Sequence, residues 1–385
     1  EAAGCRVVNL LCKGSYKHVT EQLRKTPEQH VDDIRTVVLE AAKRKIDVNI
    51  YLEDWSNGIK HSPDYVFLVI DALKGLPICR FMLPDTLGVL NPGNTYEYCK
   101  MMVDRYPDLR FDFHAHNDYD LAVANVYSAI RAGIKGIHTT VNGLGERAGN
   151  APLSSVLAVI KDQLGEETSL REEKINKASR LVETYSGVHI PPNKPIIGEH
   201  VFTQCAGVHA DGDSKNNLYC NDLLPERFGR VREYALGKTS GKANIRKNLE
   251  ALGIDMDEGS MRKVTERIIE LGDKKEMVTP EDLPYIISDV LHHDNALEDQ
   301  KIRILNYSLS LAQGLKPVAT LKIEINGEAY EESASGDGQY DAFVRALRRI
   351  YSRLNRPFPM LTNYSVSIPP GGRTDAFVQT VISWN

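Results

Sequence analysis

The sequence predicts an α/β protein: a (β/α)8 TIM barrel read without its first strands, then helical connecting subdomains and a small α+β domain. Three observations carry that reading. Short apolar runs rich in β-branched residues recur through the first half, each ending in polar residues and followed by a helical stretch. Their starts lie roughly 30–40 residues apart, the length of a βα unit. No Gly-rich dinucleotide turn opens any unit, which favours a barrel over a doubly wound sheet.

Taken in order, the runs are residues 7–12, 48–53, 80–86, 109–116 and 136–142. They are apolar on both faces, as strands become when helices cover one side and a packed interior the other. Thr26-Pro27-Glu28-Gln29 combines an N-cap, a Pro at the first helical position and a Gln placed for a capping box. Ser62-Pro63-Asp64 and Asn91-Pro92 are expected to open helices in the same way. A further strand is expected near 194–198. Five strands fall short of a closed barrel, and an open parallel edge leaves backbone groups unpaired. The expectation is that the front of the barrel is missing from this chain, which opens on Glu1 rather than Met.

From about Gly198 the texture changes. Polar, Gly-containing segments at 206–217 and 237–242 precede charged amphipathic helices at 244–252 and 261–271. In the tail, 320–325 alternates strictly, Asn326-Gly327 is a hairpin signal, 340–354 is an amphipathic helix, and strands at 364–368 and 376–383 flank Pro-Pro-Gly-Gly. The expected domains are 1–198, 199–298 and 299–385.

Composition excludes several classes. Of 385 residues, 47 are Lys or Arg and 52 Asp or Glu, a formal charge of −5, and no basic cluster alternates with stacking aromatics, so no nucleic acid is expected. No run approaches the roughly 18 apolar residues of a membrane helix. The six cysteines (Cys5, Cys12, Cys79, Cys99, Cys205, Cys220) form no CxxC, which argues against a structural zinc site or disulfide framework and for a reducing cytoplasm.

The polar strand ends carry the chemistry. His114-Ala115-His116 closes a predicted strand, and i, i+2 spacing turns both imidazoles to one face, where they can converge on one metal ion. A bare HxH is equally two buried histidines with hydrogen-bonded neighbours. The next strand runs into Asn142-Gly143-Leu144-Gly145-Glu146-Arg147-Ala148-Gly149-Asn150, a Gly-rich loop whose GxGxxxG spacing is not a dinucleotide fingerprint. Lys17-His18, Glu53-Asp54 and Asp85-Thr86 follow the first three strands. Together these ends describe a polar funnel for an oxygen-rich substrate and a divalent ion, with Mg²⁺, Mn²⁺ and Zn²⁺ all compatible.

With LPDTLG (83–88), FHAHND (113–118), NGLGERAGN (142–150) and GVHADG (207–212), the chain resembles the 2-isopropylmalate, homocitrate and citramalate synthase family over essentially its whole length. Those are metal-dependent TIM-barrel enzymes that join acetyl-CoA, the co-substrate, to a 2-oxo acid. The tail, with Gly336-Asp337-Gly338 before a helix and 371–378, resembles their C-terminal allosteric and dimerisation domain.

The resemblance implies that His114 and His116 ligate the metal with Asn142 at or near it, and that Glu53 belongs to the acid–base machinery. Thr86 would hold the oxo-acid carboxylate. Substrate contacts would also come from His18, Gly143, Gly145, Glu146 and Arg147. His209 and Tyr219 would reach into a partner subunit's active site, which implies a homodimer, and an amino-acid feedback inhibitor is implied for the tail. The implied substrate is 2-oxoisovalerate, giving 2-isopropylmalate; Lys13–Thr20 (KGSYKHVT) is more similar to citramalate synthases, which take pyruvate.

Three departures stand out. The family's first-strand Arg-Asp-Gly motif is not in this sequence, Asp120 stands where the family usually has Gly, and Gln339 replaces a usual Pro. A lyase of the same superfamily would carry a Cys in 142–150, and none is there. A non-catalytic homologue is the other alternative, set against the joint presence of His114, His116, Glu53, Thr86 and His209.

Overall fold

Thr26 starts the first helix as its chemistry dictates. Its hydroxyl accepts from the Gln29 backbone N–H and the Gln29 side chain accepts from the Thr26 N–H, so two otherwise orphaned donors are satisfied reciprocally. Asn91 caps another helix through the Asn94 N–H. Ser62 behaves differently from the sequence expectation: its hydroxyl donates back to the Gly58 carbonyl and accepts from the Tyr16 N–H, so it ties two segments together instead of capping.

The computed structural model describes residues 4–204, 207–214, 218–237, 241–273, 278, 280–291, 302–367 and 379–384. Cys205, the Pro-Pro-Gly-Gly segment, the 371–378 motif and parts of the 206–217 and 237–242 segments lie outside these residues. The chain forms two compact units, Glu1–Glu281 and Asp282–Asn385.

In the first unit, strands β1 (Val7–Lys13), β2 (Asp47–Glu53), β3 (Ile78–Asp85), β4 (Phe111–Ala115) and β5 (Gly136–His138) form one parallel sheet in sequence order. Helices α1 (Pro27–Lys43), α2 (Trp55–His61), α3 (Pro63–Leu73), α4 (Pro92–Arg105), α5 (Ala122–Arg131), α6 (Leu153–Leu164) and α7 (Ile175–Ser186) intervene or follow. This is the parallel βα arrangement of a TIM barrel. One contiguous core joins Val48, Ile50 and Leu52 of β2 and Phe111 and Phe113 of β4 to Ile34, Val38, Ile70 and Val126 of the helices. Each such fully buried side chain contributes about 1.5–3 kcal/mol.

The expectation of burial on both faces fails for β1, which among the described residues pairs only with β2. Val7 and Leu11 are 49% and 61% exposed. The predicted fifth strand is also too long. Only Gly136–His138 is strand, because Asn142 takes φ 62° and Val141–Gly143 folds into a 3-10 turn. No strand forms at 194–198 either. Pro195 lacks an N–H for a ladder, and Lys194, Ile197 and Gly198 spend theirs on local turns to Pro191, Pro195 and Lys194. Ile196 and Ile197 instead plug a core with Leu157, Ile175 and Phe228.

The connecting segments contain β6 (Thr203–Gln204) paired with β7 (Glu233–Tyr234), α8 (Gly207–Ser214), α9 (Lys242–Ala251) and α10 (Glu258–Asp273). The sequence reading did not anticipate α8, the helix carrying His209.

The second unit contains α11 (Leu283–Leu291), an antiparallel sheet of β8 (Ile302–Ser310), β9 (Val318–Ile325) and β10 (Glu328–Ser335), helix α12 (Gln339–Arg353), and the pair β11 (Leu361–Ser367) and β12 (Gln379–Trp384). Asn326 and Gly327, at φ 51° and 84°, form the two-residue hairpin turn between β9 and β10. Ala346 and Ile350 of α12 pack on Leu321, Ile323 and Ile325 of β9, the inward-facing half of its alternation. Among the described residues no helix is long and apolar enough to cross a membrane.

Candidate active site

Parallel strands deliver their carboxyl ends to one side of the sheet. The register sets Lys13 beside Glu53, Pro84 beside His114, Asp85 beside Ala115, and His114 beside His138. The polar strand ends therefore form one row.

His114 and His116 face each other with ring centroids 5.0 Å apart. Burial, with the neighbouring His116 and His138 adding to it, pushes His114 down to about 4. His116 is likewise lowered, chiefly by burial. Both imidazoles are thus neutral near pH 7, the form that ligates a cation. The His116 Nδ1 is buried with no hydrogen-bond partner among the described residues.

The long Gly-rich loop folds back onto this strand. Asn150 makes an antiparallel bridge with His116, and the Ala151 N–H donates to the Ala115 carbonyl. The Asn150 Nδ2 donates to the Leu144 carbonyl, while its Oδ1 is buried with no partner among the described residues. Gly149 permits the fold, since at φ 87° a Cβ there would lie 2.0 Å from the Gly143 carbonyl oxygen. Asn142 turns toward α7, where its Nδ2 donates to the Ser179 carbonyl; its Oδ1 is also buried with no partner among the described residues. Among the described residues no three His, Cys, Asp or Glu side chains converge on a metal position. The donor set fitting a divalent ion is two neutral imidazoles with an amide oxygen, and the orphaned polar atoms on His116 and Asn150 support that fit.

Around this pair the mouth is charged. Lys13 Nζ pairs with Glu53 Oε2. His18 Nε2 lies 3.4 Å from Asp54 Oδ2. The Thr86 hydroxyl accepts from the Asp54 N–H at 2.8 Å, leaving its own hydrogen to donate. Tyr51, one turn of the pleat below Glu53, sets its ring 5.9 Å from that of His114, and burial pushes its phenol up to about 12.

Of the loop's other candidates, Gly145 packs against the Asn150 amide and Gly143 accepts from the Asn150 N–H through its carbonyl. The Glu146 side chain is 84% exposed, and Arg147 is engaged with Asp118. His209 and Tyr219 are brought together with each other, ring centroids 4.3 Å apart, and Tyr219 lines a cleft of about 490 Å³ with His200, Phe202 and Arg232. Sequence reasoning did not single out Lys13 or Asn150. The signals were a charge ending an apolar strand and a second amide at the close of the Gly-rich loop.

Three family models tile the chain: HMGL-like over residues 1–182, homocitrate synthase post-HMGL domain-like over 196–276, and LeuA allosteric (dimerisation) domain over 277–385. A putative (R)-citramalate synthase of Methanopyrus kandleri is 34% identical across 96% of this chain and 71% of its own length. The chain belongs to the citramalate and 2-isopropylmalate synthase family. A probable 2-isopropylmalate synthase of the same organism is 33% identical over 95% of this chain and 72% of its own. An (R)-citramalate synthase of Methanocaldococcus jannaschii is 31% identical over 97% and 75%. Among solved structures, the HMG-CoA lyase of Bacillus subtilis has a TM-score of 0.45 at 21% identity, covering 50% of this chain and 67% of that one. The synthase family condenses acetyl-CoA with a 2-oxo acid and generally depends on a divalent metal, so this chain is an acyltransferase-type enzyme.

Proposed function

We propose that the protein condenses acetyl-CoA with pyruvate to give citramalate. The pairing of His114 and His116, with the Asn150 backbone bridged to His116, supports the reaction. The choice of pyruvate is carried by Tyr51, whose ring occupies the space next to His114 and favours an oxo acid with a one-carbon side chain. The similarity of Lys13–Thr20 to citramalate synthases points the same way. 2-Oxoisovalerate is the second reading, favoured by the Methanopyrus relative named for 2-isopropylmalate.

His114, His116 and Asn150 would hold the divalent ion, with Asn142 as the other amide candidate; when bound, Mg²⁺, Mn²⁺ or Zn²⁺ would polarise the oxo-acid carbonyl as a Lewis acid. Glu53 takes a proton from the acetyl methyl group. The methyl carbon then bonds to the keto carbon, the keto oxygen gains a proton to become the hydroxyl, and water cleaves the thioester to release CoA. Thr86 donates its hydroxyl hydrogen to the oxo-acid carboxylate, its lone pair being held by the Asp54 N–H. His18, poised on Asp54, binds at the same mouth. His209 and Tyr219 act from a second copy of the chain in a homodimer formed through the allosteric and dimerisation domain, which also takes an amino-acid inhibitor.

The test is to incubate the protein with acetyl-CoA, Mg²⁺ and each oxo acid, following free CoA with a thiol reagent. Turnover at least about tenfold faster with pyruvate is expected. A preference for 2-oxoisovalerate overturns the substrate assignment, and no CoA release with any oxo acid overturns the reaction.

A further inference from the structure

Lys13 ends β1 and is 9% exposed. A buried ammonium is costly unless paired and hydrogen-bonded, and among the described residues this one is paired with a single carboxylate, Glu53. The two residues stand side by side in the register of β1 and β2.

The backbone of Lys13 is held by a closed circuit of hydrogen bonds. Its N–H donates to His30 Nε2 at 3.3 Å, and the Tyr65 hydroxyl donates to its carbonyl at 2.9 Å. His30 Nδ1 lies 2.8 Å from the Tyr65 oxygen. Because Tyr65 spends its hydrogen on Lys13 and Nε2 must accept, the imidazole carries its hydrogen on Nδ1 and donates it to Tyr65. His30 and Tyr65, from α1 and α3, are 4% and 5% exposed.

The next residue is fixed as well. The Gly14 N–H donates to the Glu53 carbonyl, and the Gly14 carbonyl oxygen would lie 1.9 Å from any Cβ at Gly58. The end of β1 is therefore clamped from α1, α3 and α2, and the side chain it presents touches Glu53. Among the described residues no hydrogen bond or ion pair engages Glu53 Oε1.

We propose that Lys13 is a positioning residue for Glu53, holding one carboxylate oxygen so that the other is the free oxygen at the mouth. The role rests on the condensation reading, in which Glu53 takes the proton. A long flexible Glu side chain loses rotamer freedom on adopting one reactive geometry, and a fixed ammonium meets that cost before substrate arrives.

The test compares wild type with Lys13→Met, Lys13→Arg, Glu53→Gln and the Lys13→Met/Glu53→Gln double variant, measuring kcat, KM for the oxo acid, and Tm. Lys13→Met should lower kcat roughly 10²-fold with KM changed less than about threefold, and Lys13→Arg should recover most of the loss. On the Glu53→Gln background the same change should add less than about twofold, since a residue acting through Glu53 has nothing left to position. The role is overturned by a condensing wild type whose Lys13→Met variant keeps its kcat, by a rise in KM alone, or by fully additive losses. Loss of Tm in Lys13→Met without recovery of kcat in a stable Lys13→Arg also overturns it. A wild type that releases no CoA with either oxo acid overturns the condensation reading, and this role with it.

Discussion

Arg147 holds Asp118 with two prongs, Nε to Oδ1 at 2.8 Å and Nη2 to Oδ2 at 2.9 Å, and the same Nη2 donates to the Thr86 carbonyl at 2.8 Å. One guanidinium thereby joins the segments that follow β3, β4 and β5. Lys cannot reproduce a fork of this kind. Both Arg147→Lys and Arg147→Ala should therefore lower kcat/KM by about 10-fold or more, with Arg147→Lys recovering little. Steady-state CoA release, alongside Tm to confirm folding, measures this; full activity in Arg147→Lys would show that charge alone suffices.

The two amides of the Gly-rich loop should separate on metal binding. The backbone of Asn150 bridges to His116 itself, whereas the Asn142 side chain donates to Ser179 of α7. Asn150→Ala should weaken Mn²⁺ binding by about 10–100-fold, and Asn142→Ala by clearly less. Calorimetric titration with Mn²⁺ reads both, and the reverse order would move the ligand to Asn142.

Tyr51 should act as a size gate. Removing its ring in Tyr51→Ala is expected to raise the ratio of 2-oxoisovalerate to pyruvate turnover by about 10-fold or more, the scale of one methylene in an apolar pocket. An unchanged ratio would remove Tyr51 from substrate choice.

The connecting region is anchored by Arg227, whose guanidinium meets Asp162 at 2.9 Å and Glu172 at 2.7 Å, all three side chains less than one-fifth exposed. Arg227 holds Glu172 below its ordinary value of 4.5. A depressed carboxylate stabilises the fold above its ordinary value and loses that stabilisation as pH falls through the folded value. Acid unfolding should therefore begin below about pH 4.5 and be blunted in Arg227→Met, which should cost about 3 kcal/mol at pH 7 by leaving the half-buried Asp162 without its cation and Glu172 with Lys161 alone. Urea midpoints at pH 7 and pH 4 check both.

The strand ends were legible because short apolar, β-branched runs and their polar termini are local properties of the chain. Residues 7–12 and 48–53 correspond to β1 and β2 within a residue, and His114 and His116 come out on one face. The turn at Asn326-Gly327 was legible for the same reason. The bridge from Asn150 to His116 was not, because it forms only after a nine-residue loop doubles back. Lys194–Gly198 misled because two adjacent isoleucines signal burial without saying in which backbone form. Asp120 shows the reverse case: at φ 58° it occupies the left-handed region that favours Gly, which accounts physically for Gly being usual there.

The circuit through Lys13, His30 and Tyr65 contains three hydrogens for three lone pairs, so it admits no supernumerary one. A second hydrogen on the His30 imidazole would confront the Lys13 N–H head-on, and burial already disfavours that cation. Mild acid would have to prise strand from helix before it could charge this ring, so the clasp doubles as a latch that neutral water keeps shut.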